Sequence, residues 1–196
     1  MRKYWVILVI LVGLVGFQSI NIASGQAEAA VPTDLEAEIH ILINKERSVA
    51  VPDYPELRFQ STLIEIARTF SEYMYNNDRF DHVDKEGNGP SDRLEAKGIK
   101  YTLVAENLYM SENIPERQIA KSAVEGWIIS KGHYKNIKSL TSFTGIGVYA
   151  QKGFYYVTQL FVEASESDMK SVGLVYDNNN FSPLDERSFF EKYQQG

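Results

Sequence analysis

The sequence predicts an α+β domain of ordinary size, and three observations carry that expectation. Two stretches, Leu35 to Ile43 and Leu63 to Met74, place apolar residues three and four apart, as on one face of a helix. A later stretch, Gly145 to Phe161, reads as two β-prone runs about a turn. A hydrophobic fraction of 44%, with 12% aromatic residues, supplies a real core.

Composition narrows the function classes. The formal charge is −6 and no basic run occurs. This argues against nucleic acid as the main partner, since phosphate binding needs clustered Lys and Arg. Non-specific adhesion to anionic membranes is disfavoured for the same reason. There are no cysteines. Disulfides, thiolate metal sites and cysteine nucleophiles are thereby ruled out.

The chain opens with Met1-Arg2-Lys3, then an apolar run from Trp5 to Phe17, then Ala27-Glu28-Ala29. This is the layout of a secretory signal peptide, assigned to 1–29, with cleavage and export as the expectation. The run is shorter than the roughly 20 residues a spanning helix needs. Contact with a membrane follows only if this segment is retained as an anchor.

Thr33 and Glu36 form a capping box that starts the first helix. That helix fades near Ser48, ahead of Pro52 and Pro55. His40, one step off the apolar stripe, reads as a surface or boundary residue. A second helix opens at Ser61 or Thr62 and ends at Asn76-Asn77-Asp78. A loop follows, Phe80-Asp81-His82-Val83-Asp84-Lys85-Glu86-Gly87, holding one of three histidines. Ser91 to Lys97 is a short helix closed by a left-handed Gly98. Tyr101 to Ala105 is β-prone and leads into Glu106-Asn107. Pro115 or Glu116 starts a further helix that carries Trp127 and breaks at Gly132, so that His133 falls just past it. The hairpin turns at Gln151-Lys152-Gly153. From Glu163 the chain is more polar, with a short helix expected between Pro183 and Tyr193.

The order of these motifs resembles the CAP superfamily, the cysteine-rich secretory, antigen 5 and pathogenesis-related 1 proteins. The closer likeness is to its cysteine-free prokaryotic branch, the SCP-like extracellular domains. Phe80 to Gly87 followed by Asp92-Arg93-Leu94 and Gly98 is similar to the family's F-x-H-x-D-x-x-G…D-R-L…G run. Ala105-Glu106-Asn107-Leu108 is similar to G-E-N-[IL], with Ala in place of Gly. Trp127, Ser130, Gly132-His133 and Asn136-Ile137 resemble W-x-x-S-x-G-H-R-x-N-I, with Tyr134 in place of Arg. Gly145 to Val148 and Thr158 to Phe161 match the closing hairpin. The resemblance implies a three-layer α-β-α sandwich with a central antiparallel sheet over 34–162, and leaves 163–196 as a C-terminal extension.

The resemblance also implies a cleft where His82, Glu106 and His133 converge. Asn107, Asp92, Arg93 and Ser130 would support it. A second glutamate found in eukaryotic members has no match; Glu125 lies on a different helix face from Trp127. Two imidazoles and a carboxylate admit three chemistries. They are a ligand set for Zn²⁺ or another divalent cation. They could position and deprotonate a water, which makes the same three residues the candidates for metal-assisted hydrolysis. Or they tie loops to the sheet as a polar network. Asp81 and Asp84 flank His82 as turn residues or as anions that raise its pKa. Asp92 and Arg93 either pair across the loop or cap and solvate a short helix. Ser130 reads as a helix C-terminal cap. The expected function is a secreted binding module. Its partner would be an extracellular protein, peptide or lipid, with a hydrolase and a lipid carrier as alternatives.

Overall fold

A computed structural model describes residues 29–178. The expected signal segment, but for its last residue, and the helix expected between Pro183 and Tyr193 fall outside these residues. The elements run α1 (Asp34–Ala50), β1 (Arg58–Phe59), α2 (Ser61–Asn76), α3 (Pro90–Ala96), β2 (Leu103–Glu112), α4 (Glu116–Ile129), α5 (Lys131–Ile137), β3 (Phe143–Gln151), β4 (Phe154–Glu163) and α6 (Glu166–Val172). The strands form one sheet ordered β1-β3-β4-β2. The long strands pair antiparallel, while the two-residue β1 joins β3 in parallel.

Side-chain alternation divides the molecule into three layers. Ile146, Val157 and Phe161 face α1 and α4, where Ile39, Ile43, Ile119 and Trp127 are buried. Leu160 and Val162 face Leu63, Ile66 and Ala67 of α2. The sandwich and its antiparallel sheet match the expectation from sequence.

Local chemistry explains the ends of these elements. Thr33 and Glu36 close the capping box on α1. Lys152 and Gly153 both have positive φ, as a two-residue hairpin turn requires. Gly98 ends α3 at φ 71°. Gly145 and Gly147 let β3 lie against the backbone of α2. A Cβ at Gly145 would stand 2.1 Å from the Leu63 carbonyl carbon, and one at Gly147 would stand 2.0 Å from the Arg68 nitrogen. No side chain fits in that contact, so α2 is locked to the sheet.

Three sequence expectations are corrected, and the segment after Glu163 gains a described helix. The break after α4 falls at Ser130, which has an extended backbone, and Gly132 lies inside α5. A glycine weakens a helix interior without ending it. Ser130 makes no side-chain cap bond. His40 is buried, stacked on Phe59 at 4.2 Å between ring centroids, and its Nε2–H donates to the Leu57 carbonyl. The segment after Glu163 contains α6, whose Met169 is fully buried against α2 and the sheet.

One buried cation bears on the site. Arg47 of α1 donates to the carbonyls of Ile137, Ser139 and Thr141. These lie at and just past the end of α5, so Arg47 fixes where that helix stops.

Candidate functional site

The site forms at the outer strand. Among the described residues β2 pairs with β4 alone, which leaves its other edge turned away from the sheet. Strand alternation sends neighbouring residues to opposite faces. Glu106 points to the α2–α3 layer and Asn107 to the α5 layer. The adjacent Glu and Asn therefore tie the two helical layers together around one strand edge.

On the first face, Glu106 is buried, with 5% of its surface exposed. Its Oε1 accepts from Nδ1 of His82 at 2.9 Å, and its Oε2 accepts from Nη2 of Arg93 at 2.6 Å. Arg93 also donates from Nη1 to the carbonyls of His82 and Asn88, each at 3.2 Å. Its guanidinium carbon stands 3.5 Å from the centroid of the buried Phe70 ring.

The loop that presents His82 is held at several points. Asp84 accepts from the backbone of Glu86 and Asn88 and from the Asn88 side chain, which makes it the turn former. Tyr73 of α2 accepts from the Lys85 amide through its hydroxyl oxygen. Arg79 pairs with Asp81 and donates to the Val83 carbonyl. Asp92 does not pair with Arg93. Its carboxylate accepts from the Gly89 amide and so caps α3, which frees Arg93 to reach Glu106.

On the second face, Asn107 is fully buried and donates to the backbone carbonyl of His133 at 3.2 Å. Asn136 donates to the Glu106 carbonyl at 3.0 Å and to the Asn107 side chain at 2.9 Å. Trp127 donates its indole N–H to the Leu108 carbonyl at 2.8 Å. These bonds seat α5 against β2 and bring His133 to the cleft. Its imidazole makes no hydrogen bond among the described residues.

The two imidazoles are tuned in opposite directions. His82 has a raised pKa, first because Glu106 hydrogen-bonds its ring; burial opposes this, Asp81 adds a little, and the Arg93 charge subtracts. His133 has a lowered pKa, first through burial and then through the charge on His82.

The expected three-donor metal set can be tested on this geometry. Each Glu106 oxygen already accepts a hydrogen bond, one from the imidazole and one from the guanidinium. Among the described residues no group of three or more His, Asp or Glu side chains is placed to hold a metal ion. Glu106 stands behind His82 as the group that orients it.

Ser130 makes no hydrogen bond to His133, so the two form no nucleophile and base pair. Glu125 lies along the outer side of α4, within 3.9 Å of Lys121, and supplies no second carboxylate. Two residues matter more than sequence reasoning indicates. Asn136 enters that reasoning only as part of the motif, with no role assigned, although its position three residues past His133 puts it on the same helical turn. Phe70 reads from sequence as core alone, and it is also the platform under Arg93.

Comparison with known proteins is consistent in direction. The sequence profile of the cysteine-rich secretory protein family, CAP, matches residues 41–161. The Bacillus subtilis protein YkwD is 35% identical over 107 residues, which cover 54% of this chain and 39% of that protein. The match therefore spans well under half of the relative's length. The structure is similar to an extracellular SCP-domain protein of Bacillus anthracis, with 27% identity and a TM-score of 0.54, covering 66% of this chain and 40% of that one. It is also similar in fold to an outer surface protein of Borrelia burgdorferi, with 18% identity and a TM-score of 0.58, covering 69% of this chain and 97% of that one.

Proposed function

Since the chain belongs to the CAP family, we propose that it is an extracellular binding module whose working surface is the cleft at the β2 edge. The observation that carries this is the state of His82. Its side chain is 50% exposed, yet Nδ1 is bound to a carboxylate that is itself held by Arg93. With Nδ1 as the donor, Nε2 keeps its lone pair and is free for a ligand. His133 offers a second imidazole, and its lowered pKa favours the neutral ring. Neutral imidazole pairs bind borderline metals such as zinc. The ligand class that this donor set favours is a divalent cation, or a partner that completes such a cation's coordination.

The geometry weighs against Glu106 as a hydrolytic base. A general base must reach the proton it removes, and both of its oxygens face protein donors. Export agrees with the apolar N-terminal run of the sequence and with the extracellular description of the Bacillus anthracis relative.

The test is calorimetric titration of the chain with zinc, beside His82→Ala and His133→Ala. One-to-one binding that each variant abolishes is the expected result. Absent heat, or heat unchanged in both variants, would overturn the cation reading. Co-purified lipid in such a chain would point to a carrier instead.

A further inference from the structure

We propose that Arg93 is the positioning residue of this cleft: by taking one oxygen of Glu106 it reserves the other for Nδ1 of His82, and so turns Nε2 toward the ligand. The inference rests on the binding role proposed above and concerns how that role is built.

A lone carboxylate beside a half-exposed imidazole has no reason to keep one geometry. Glu106 offers two equivalent oxygens and can rotate about its last torsion, which is soft. Arg93 removes that freedom. Its guanidinium is a rigid planar fork with donors in fixed directions. One arm reaches Glu106 Oε2. The other arm reaches the His82 and Asn88 carbonyls, at the two ends of the loop that bears the imidazole. One side chain therefore fixes both the carboxylate and the backbone of the residue that the carboxylate must meet.

The fork itself is fixed from below. It lies over the ring of Phe70, which α2 carries and which is almost fully buried. Stacking on an aromatic face suits a guanidinium far better than an ammonium. Nε of Arg93 is buried without an acceptor among the described residues. Nothing competes for its orientation, so the stack and the three distal bonds decide it. Lysine cannot reproduce this arrangement, because a point charge cannot span a carboxylate and two carbonyls in one plane.

The structure thus contains a relay of position: α2 holds Phe70, Phe70 holds Arg93, Arg93 holds Glu106, and Glu106 sets the tautomer of His82. The tautomer is the link that a merely structural role would leave unchanged.

The experiment is nitrogen-15 NMR of the histidine rings in the 196-residue chain, at a pH where the cleft imidazoles are neutral. The wild type should show His82 protonated on Nδ1. Arg93→Met, which keeps the length and the apolar packing on Phe70, should move the proton predominantly to Nε2, so that the two ring nitrogens exchange shifts. Arg93→Lys should do the same despite its charge. Glu106→Gln serves as the reference for loss of the carboxylate. An unchanged His82 tautomer in a folded Met or Lys variant overturns the proposal, as does an Nε2-protonated ring in the wild type. Should the Met variant fail to fold, the Lys variant decides alone. The readout needs no zinc, so failure of the cation reading leaves it standing or falling by itself.

Discussion

His40 and His82 are the same side chain under opposite instructions. His40 lies in the core of the α1 layer, 5% exposed, with a neutral carbonyl as its partner. Burial drives its pKa down to about 4. His82 lies at the rim with a carboxylate partner, and its pKa is raised. The Leu57 carbonyl favours the charged ring, but by less than burial disfavours it. A carboxylate gains from the charge. Depth and the partner's chemistry together decide whether a histidine titrates as a structural spacer or as a cleft group, burial leading at His40 and the carboxylate at His82.

The largest effect that would probe this contrast comes from the carboxylate. Glu106→Ala leaves Arg93, only 14% exposed in its side chain, without its anion. Breaking a buried pair in this way costs about 4 kcal/mol, measurable by urea unfolding. A loss under about 1 kcal/mol would mean that Arg93 simply turns out to solvent.

Next comes acid. The folded-state pKa of His40 lies below its value of 6.5 in the unfolded chain. Its contribution is therefore complete above about 6.5 and is lost as pH falls toward about 4. The shift corresponds to about 3 kcal/mol. His40→Gln keeps an amide N–H for the Leu57 carbonyl and removes the titration. Its stability should fall less steeply below neutral pH. An identical slope in both proteins would assign the acid lability elsewhere.

His82 gives the smallest effect, of opposite sign. Its folded pKa is raised, so its contribution is complete below the unfolded value and fades as pH climbs through the folded one. Half-exposure screens the pair, and the contribution stays under about 1 kcal/mol. Glu106→Gln should bring the NMR titration of His82 back down toward an ordinary imidazole. A His82 midpoint unmoved by that substitution would break the contrast with His40.

What is legible in the sequence is local or periodic. The capping box at Thr33, the left-handed Gly98 and the hairpin turn depend on neighbours along the chain. They can be read without knowing the fold. The motif around Glu106 and Asn107 is legible as a resemblance, and strand alternation explains why those two types sit side by side. The two residues of β1 carry no period, and α6 is a helix of seven residues, so both escape a reading by pattern. His40 is misplaced by that reading because apolar periodicity is blind to buried polar groups. Glu36, His40, Asn44 and Arg47 are all buried, and they recur at helical spacing along α1. That polar stripe is present in the sequence for anyone who looks for it. The reach of Arg93 to Glu106 is not, because it crosses from a loop-flanking helix to a strand and depends on Asp92 being occupied elsewhere.

The bonds on the α5 side of β2 act far from any ligand. An outer strand with free backbone groups is a template for the strand of another molecule. On β2 the carbonyls of Glu106 and Leu108 are already taken by Asn136 and Trp127. A neighbouring copy that tried to extend the sheet would find those acceptors engaged and α4 and α5 in its way. Asn136 and Trp127, which help seat α5 against β2, thereby also close that part of the edge to a further strand.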